Sequence, residues 1–241
     1  MEVAALKEVS FKVQEGEFVS IVGPSGCGKS TIIKMVAALV KPTTGSVLFR
    51  NKEVENPQRS IGVVFQDPAL LEWRKVLSNV MLPVEVVSGI DEEEYRKNAH
   101  QLIAKVGLSG FEDKYPYELS GGMRQRVALC RAMINDPRLL LMDEPFGALD
   151  AMTRDQMNIE LSRLLERTAK TIMFVTHSII EAVFLSDRII VMTPRPGQVS
   201  SIIDVKLPRP RTPAVKLTED FAKIVAEVTR ALGLETGDGR E

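Results

Sequence analysis

The chain has 241 residues, 44% of them hydrophobic and 26% charged, and its formal net charge is -1. This length suits one large domain or two small ones, and the composition is ordinary for a soluble globular protein. The charge balance gives no electrostatic footprint for nucleic acid, the apolar runs are too short to span a bilayer, and the 2 cysteines make no disulfide framework.

Strands and helices alternate along most of the predicted chain. The apolar pattern predicts strands at Ala5–Val13 and Phe18–Val22, joined by a turn, and then a helix at Thr31–Leu39. Short apolar runs predict further strands at Ser46–Phe49, Ile61–Phe65, Leu139–Met142, Thr171–Thr176, Ile189–Met192 and Ser201–Val205. Such alternation favours a mostly parallel sheet with helices on both faces.

The middle of the chain changes to a helical period. No strand is predicted between Leu77 and Met133, and the acidic run Asp91–Glu94 is typical of a helix start. We expect a helical subdomain at about residues 75–135, inserted into a single domain that spans 1–241. Apolar side chains on one face predict a final amphipathic helix; these are Leu217, Phe221, Ile224, Val225, Val228 and Leu232. The polar tail Glu235–Glu241 is expected to be disordered.

The segment between the strand Phe18–Val22 and the helix that follows fits the phosphate-loop pattern of nucleotide-binding proteins. Its residues are Gly23, Pro24, Ser25, Gly26, Cys27, Gly28, Lys29, Ser30 and Thr31. The glycines let backbone N–H groups point at one phosphate chain, to which the helix N-terminus adds its positive end. Lys29 can reach the β- and γ-phosphates, and the Ser30 hydroxyl can ligate Mg²⁺. This strand–loop–helix context favours a nucleoside triphosphate site over a chance glycine-rich turn.

Two adjacent carboxylates follow the apolar strand Leu139–Met142. In a doubly wound sheet this strand end lies beside the phosphate loop. Asp143 is expected to hold Mg²⁺ through a water, and Glu144 to act as the general base that orients and polarises the attacking water. A surface Asp-Glu pair in a turn is common, but buried apolar residues before it and a phosphate loop beside it favour the catalytic interpretation.

A second anion-binding turn is predicted where Ser120, Gly121 and Gly122 open a helix. One anion-binding turn of a chain is enough to bind one γ-phosphate, so the second turn is left to serve another nucleotide. We therefore expect a head-to-tail dimer, in which each nucleotide lies between the phosphate loop of one chain and the Ser-Gly-Gly turn of the other.

The ordered set of motifs reads GPSGCGKST at 23–31, Gln66, LSGGM at 119–123, LLLMDEP at 139–145, Gly147–Asp150, and His177 within VTHS. This set resembles the nucleotide-binding subunit of ABC transporters over essentially the whole chain. The resemblance implies an α/β P-loop NTPase fold with a mostly parallel core sheet, an antiparallel β subdomain and the inserted helical subdomain. Segments 65–74 and 191–197 are further similar to the ATPases of nitrate, sulfonate and taurine importers.

The resemblance also implies roles for single residues. Gln66 would touch Mg²⁺ and the attacking water, linking the catalytic core to the helical subdomain. His177 would contact the γ-phosphate and the water held by Glu144. Asp150 would lie at the dimer interface and couple the two nucleotide sites.

Some positions leave alternatives or depart from the family pattern. For the apolar cluster Leu70, Leu71 and Trp73, core packing and a groove for the permease's coupling helix are equal alternatives. The family carries an adenine-stacking aromatic residue well before the phosphate loop, whereas residues 1–10 contain none. The start of the usual domain is thus expected to be missing, and no adenine-stacking residue is predicted. Met123 stands where many members carry Gln, so a side-chain contact to the ribose is expected to be lost.

The resemblance implies an enzyme that binds ATP and Mg²⁺ and hydrolyses ATP to power an importer of nitrate, sulfonate, taurine or a related small solute. Its implied partners are a second copy of the chain or a paralogue, transmembrane permease subunits and an extracytoplasmic solute-binding protein. Its implied place is the cytoplasmic side of the cell membrane. A soluble ABC-type ATPase and a nucleotide-dependent regulatory switch are the alternatives. The intact Asp143-Glu144 pair and His177 argue against a switch that does not hydrolyse.

Overall fold

The computed structural model describes residues 4–86, 91–166 and 170–234. Its strands are β1 Phe18–Val22, β2 Leu48–Phe49, β3 Lys52–Glu53, β4 Ile61–Val64, β5 Leu139–Asp143, β6 Thr171–Val175, β7 Arg188–Met192 and β8 Val199–Asp204. Its helices are α1 Lys29–Val36, α2 Val76–Glu85, α3 Glu92–Lys105, α4 Gly121–Met133, α5 Ala151–Glu166, α6 Ile179–Leu185 and α7 Glu219–Ala231. The predicted disordered tail at 235–241 lies outside the described residues.

A mixed, mostly parallel sheet forms the centre of the fold. In the described ranges, a 6-stranded sheet has the order β4-β5-β6-β1-β7-β8, and its edge strand β8 runs antiparallel to β7. Alternate residues of β5 enter different core clusters, with Leu139 and Leu141 on one side of the sheet and Leu140 and Met142 on the other. Burial on both faces explains why this strand is a continuous apolar run. The short strands β2 and β3 pair antiparallel as a separate sheet. The predicted fold class is confirmed.

The parallel pairing brings several strand ends to one edge of the sheet. Asp143 of β5 pairs with Val175 of β6, and Val175 pairs with Ile21 of β1. The residues that follow these strands therefore emerge side by side at the carboxyl edge, which is where open α/β sheets bind ligands. The phosphate loop, the carboxylate pair and the residues after β6 all leave the sheet there.

The segment Ala5–Val13 is not the strand that its pattern predicted. Within the described residues, its ladder contact is an isolated bridge between Leu6 and Gly197. Val9 and Phe11 do pack against the core, so the alternating pattern indicated burial correctly. A strand also needs a hydrogen-bonded neighbour, and this stretch of backbone does not join either sheet of the described chain.

The predicted helices are present, with differences at their ends. α1 begins at Lys29 instead of Thr31 and stops at Val36, because Ala38 adopts a left-handed φ of 58° that ends the helix. α2, α3 and α4 fill the predicted helical stretch, and within it the Asp91 side chain caps α3 by accepting from two backbone N–H groups. No helix within the described ranges is both long and apolar enough to cross a membrane.

The C-terminal amphipathic helix is confirmed as α7, except for its first predicted member. Phe221 and Val228 are buried on its inner face. Leu217 instead ends a short 3₁₀ helix, Pro213–Leu217, and is 89% exposed. The reason is the cap: the Thr218 side chain accepts from the N–H of Phe221, so α7 starts only after Leu217.

Candidate active site

The phosphate-loop residues form a turn between β1 and α1. Gly26 and Gly28 have φ values of 77° and 103°, in the left-handed region that strains other residues, so the path of the loop requires glycine there. Lys29 is buried, and its ammonium donates to the carbonyl oxygens of Gly23 at 2.8 Å and Pro24 at 3.0 Å. The loop thus holds a cation at the N-terminal end of α1, where the helix already presents positive backbone dipoles.

Ser30 and Asp143 meet at the carboxyl edge of the sheet. The Ser30 hydroxyl donates to Oδ1 of Asp143 at 2.9 Å. Burial raises the pKa of the Asp143 carboxyl above its ordinary value; the hydrogen bond from Ser30 opposes this rise, and the charge of Glu144 adds to it. A hydroxyl and a carboxylate oxygen side by side suit a hard cation such as Mg²⁺, which prefers oxygen ligands. The residues therefore fit the ion expected from the sequence.

Gln66 follows β4 and lies near the loop that contains Gly147. A Cβ placed on Gly147 would be 3.5 Å from Nε2 of Gln66 and 3.5 Å from Oε2 of Glu144. The amide and the carboxylate thus flank the same small residue. The structure thus places Gln66 and Glu144 around Gly147, and a contact of Gln66 with Mg²⁺ and the attacking water stays a prediction.

Replacing Asp143 by Asn is expected to stabilise the metal-free protein at neutral pH. Because the pKa of this carboxyl is raised in the folded protein, ionising it costs more in the folded chain than in the unfolded chain. This loss of stability is absent below the unfolded pKa and develops as the pH rises through the folded pKa.

Thermal unfolding in a chelating buffer, from about pH 3 to pH 8, measures this effect. The midpoint of Asp143→Asn should exceed that of the wild type at neutral pH and converge with it at the acidic end. Ser30→Ala, which removes the hydrogen bond but keeps the charge, should shift the midpoint downward instead. A neutral-pH midpoint of Asp143→Asn below that of the wild type would contradict this account.

Glu144 and His177 form a hydrogen-bonded pair. Nδ1 of His177 lies 3.1 Å from Oε2 of Glu144. Glu144 has a left-handed φ of 44°, a strained conformation for a non-glycine residue that is found preferentially at active sites. Its N–H donates to the carbonyl oxygen of Val175 at 2.9 Å, which holds the residue in this turn. A half-buried carboxylate fixed beside an imidazole can orient a water and accept its proton.

The Ser120–Gly122 turn lies at the start of α4. The Ser120 hydroxyl accepts from the N–H of Met123 at 3.3 Å and so caps the helix. A Cβ on Gly122 would lie 2.9 Å from Cγ2 of Thr153, so the turn packs closely against the first turn of α5. The structure therefore groups Ser120–Gly122 with the loop that contains Asp150.

Asp150 is exposed and caps α5. It accepts from the hydroxyl of Thr153 at 2.6 Å and from the N–H of Thr153 at 3.0 Å, and these bonds lower the pKa of its carboxyl. Its visible role is thus to fix the start of α5, next to the Ser120–Gly122 turn. Its place at a dimer interface stays a prediction.

Sequence reasoning missed Glu181. This carboxylate is 6% exposed, accepts from the hydroxyl of Thr176 at 2.5 Å, and lies 3.4 Å from Nδ2 of Asn158 and 3.8 Å from Nε of Arg154. It connects α5, which follows Asp150, to the residues beside His177. The spacing Ser178-x-x-Glu181 is that of a capping box and marks a helix start, but it does not reveal burial.

For the apolar cluster after Gln66, core packing holds for Leu70 and not for Trp73, and the permease groove stays a prediction. Leu70 packs against the main core, whereas Trp73 is 75% exposed. The buried amide of Asn79 accepts from the N–H of Leu71 at 2.8 Å and donates to the carbonyl oxygen of Arg74 at 2.9 Å. The segment is therefore held in place by the helical subdomain while its aromatic side chain faces solvent.

Comparison with known proteins gives close matches over most of the chain. The family model described as ABC transporter matches residues 6–147. An uncharacterized ABC transporter ATP-binding protein of Methanocaldococcus jannaschii is 50% identical over 209 residues, which cover 87% of this chain and 78% of that protein. A taurine import ATP-binding protein of Yersinia pestis is 46% identical over 195 residues, which cover 81% of this chain and 76% of that protein.

Solved structures give the same result. The dimeric structure of a bacterial ABC transporter cassette matches with a TM-score of 0.74 and 38% identity, covering 85% of this chain and 92% of that chain. A dimeric post-hydrolysis state of that cassette, bound to ADP and Pi, matches with the same TM-score, identity and coverage. The backbone similarity thus accompanies clear sequence identity.

Proposed function

Because the chain belongs to the ABC transporter family of ATP-binding proteins, we propose that it hydrolyses ATP to drive a solute importer, with Glu144 as general base. The observation that carries this proposal is the 3.1 Å contact between Glu144 and His177 at the sheet edge that also carries the phosphate loop. A base beside a triphosphate-binding loop is the arrangement that hydrolysis needs.

Binding comes first. Backbone N–H groups of the phosphate loop and of the start of α1 hold the phosphate chain, and Lys29 supplies a cation to the β- and γ-phosphates. Ser30, Asp143 and Gln66 are the residues that would hold Mg²⁺, which neutralises phosphate charge when bound. Charge stabilisation and positioning then supply most of the catalysis.

Glu144 and His177 act on the attacking water. The Glu144 carboxylate orients this water in line with the γ-phosphate and accepts its proton as the bond to the leaving ADP breaks. An N–H at Nδ1 of His177 would donate to that carboxylate and fix its direction, and an N–H at Nε2 would donate to the phosphate; both contacts together need a hydrogen on each ring nitrogen. His177 is thus the residue that joins the base to the γ-phosphate.

The complete site is proposed to form between two chains. The Ser120–Gly122 turn packs with the Asp150 loop of its own chain, and its helix N-terminus offers a second set of N–H groups for a phosphate chain. The dimeric cassettes that this chain resembles support pairing of two copies. Asp150 is then placed to transmit changes between the two sites.

Mixing two inactive variants tests this composite site. Lys29→Ala damages only the phosphate loop, and Gly121→Asp puts a negative charge on the turn, where a Cβ meets only Leu149 Cδ2 at 3.5 Å and is tolerated. Each variant alone should be nearly inactive. In a mixed dimer, one site keeps the intact loop of one chain and the intact turn of the other. A mixture at equal concentrations should therefore recover about a quarter of wild-type activity per dimer by random pairing.

Phosphate release measured across a series of mixing ratios gives the result, and each variant mixed with wild type is the control. Activity should be highest near equal amounts of the two variants. A site built within one chain predicts no recovery at any ratio, and that result would overturn the dimeric part of the proposal.

The importer assignment is supported by relatives and by one exposed surface. The Yersinia pestis relative is named a taurine import protein, which favours transport of a small sulfonate-like solute over a soluble ATPase or a regulatory switch. The exposed Trp73, on a segment fixed by Asn79, is a suitable contact for permease subunits. The proposed assembly places the chain on the cytoplasmic side of the membrane, with an extracytoplasmic solute-binding protein on the other side.

A further inference from the structure

The turn between β7 and β8, residues 193–198, packs against the phosphate loop through Gly197 and Cys27. Its Gly197 donates from its N–H to the carbonyl oxygen of Ala5 at 3.0 Å, and its carbonyl oxygen accepts from the N–H of Lys7 at 3.0 Å. These two backbone bonds fix Gly197 in place. The turn belongs to the segment 191–197 whose sequence pointed to importer ATPases, and the catalytic scheme above gives it no role.

Gly197 lies against a peptide group of the phosphate loop. A Cβ on Gly197 would overlap the carbonyl oxygen of Cys27 and would lie 3.1 Å from the carbonyl carbon. The obstacle is backbone, so no side-chain rotation can relieve it. The side chain of Cys27 is itself completely buried, which leaves the loop little room to move away from the turn.

This contact sets the direction of the next N–H group. The peptide bond between Cys27 and Gly28 is trans, since the cis bonds of the described chain are those before Pro196 and Pro210. In a trans peptide the C=O and N–H groups point in opposite directions. Because the Cys27 carbonyl faces Gly197, the N–H of Gly28 faces away from the turn.

We propose that Gly197 is a positioning residue for ATP binding, which keeps the N–H of Gly28 directed at the phosphate chain. The inference rests on the proposed function, because it takes ATP as the occupant of the loop. A side chain at position 197 forces the Cys27 carbonyl to shift or the peptide to flip. A flipped peptide presents a carbonyl oxygen where the N–H was and replaces an attraction to phosphate with a repulsion.

Gly197→Ala is expected to weaken equilibrium ATP binding by about tenfold to a hundredfold, the effect of losing a hydrogen bond to a charged group. The matched control is Gly62→Ala in β4. Its Cβ would lie 2.5 Å from the carbonyl oxygen of Ala132, a backbone clash of the same kind that does not involve the phosphate loop. Gly62→Ala should lower the thermal midpoint but leave the ATP dissociation constant unchanged.

The outcomes separate this inference from the proposed function. Wild-type protein that binds no ATP would refute the proposed function and the inference together. Wild-type binding with equal affinity in Gly197→Ala, or an equal loss in Gly62→Ala, would refute the inference alone. If Gly197→Ala does not fold, the Gly28 amide resonance of ¹⁵N-labelled wild type is the second test. Protein that binds ATP while this resonance stays unchanged overturns the inference alone, because the N–H of Gly28 is then not directed at the phosphate chain.

Discussion

Glu144→Gln should leave ATP binding intact and lower steady-state ATP hydrolysis by about 10²- to 10⁴-fold, the usual contribution of a positioned proton acceptor. The substitution keeps the shape of the side chain and an oxygen that can accept from His177, but the amide cannot take a proton from water. The strained turn at Glu144 is unaffected, because it depends on the backbone bond to Val175.

The test combines an ATP titration with a phosphate-release assay on the same preparation. A matched control is Glu53→Gln on β3, where the residue is exposed and belongs to the separate sheet of β2 and β3. That variant should match the wild type in both assays. Turnover by Glu144→Gln at the wild-type rate would remove Glu144 from the role of base.

The contact between His177 and Glu144 bears on the effect expected of Glu144→Gln. The His177 side chain is 52% exposed, and its Nδ1 lies 3.1 Å from Oε2 of Glu144. Closing the dimer would exclude water from this pair and bring the Ser120–Gly122 turn of the other chain to the phosphates. Because this catalysis depends on groups held in position, a substitution of the base Glu144 should lower the rate of ATP hydrolysis more than a substitution in the distant core.

The sequence predicted the central sheet well because its strands are buried on both faces. Leu139–Met142 and Ile189–Met192 are continuous apolar runs, and each proved to be a strand, extended by Asp143 or Arg188. Ala5–Val13 failed for the complementary reason. Its apolar residues are indeed packed inward, but strand formation depends on a neighbouring backbone, which a local pattern does not report.

In the candidate site, too, local sequence motifs predicted some residues, whereas contacts between distant parts of the chain could not be predicted. Ser30, Asp143, Glu144 and His177 could be named from the sequence, because each follows a recognisable strand or opens a helix, and the structure brings them to one edge of the sheet. Glu181 and Gly197 could not be named. Their importance lies in contacts with residues far away in the chain, such as Asn158 and Cys27, and no local spacing encodes those contacts.

Lys29→Ala should weaken ATP binding by about a hundredfold or more, because it removes a charged donor to the phosphate chain. The structure adds a second reason. The Lys29 ammonium donates to the carbonyl oxygens of Gly23 and Pro24 at 2.8 Å and 3.0 Å, so its loss leaves two carbonyls of the loop without this donor. Lys29→Ala therefore removes both the cation that contacts the phosphates and two hydrogen bonds that stabilise the loop.

A second substitution separates these contributions from simple packing. Lys29→Met keeps the buried aliphatic stem but not the ammonium, and it should lose ATP affinity as severely as Lys29→Ala while unfolding at a higher temperature. Lys41→Ala, which removes an exposed lysine after α1, should retain wild-type affinity. Near-normal binding by Lys29→Met would show that the stem and not the charge matters. The phosphate loop would then bind the nucleotide through its backbone N–H groups and the N-terminus of α1 alone.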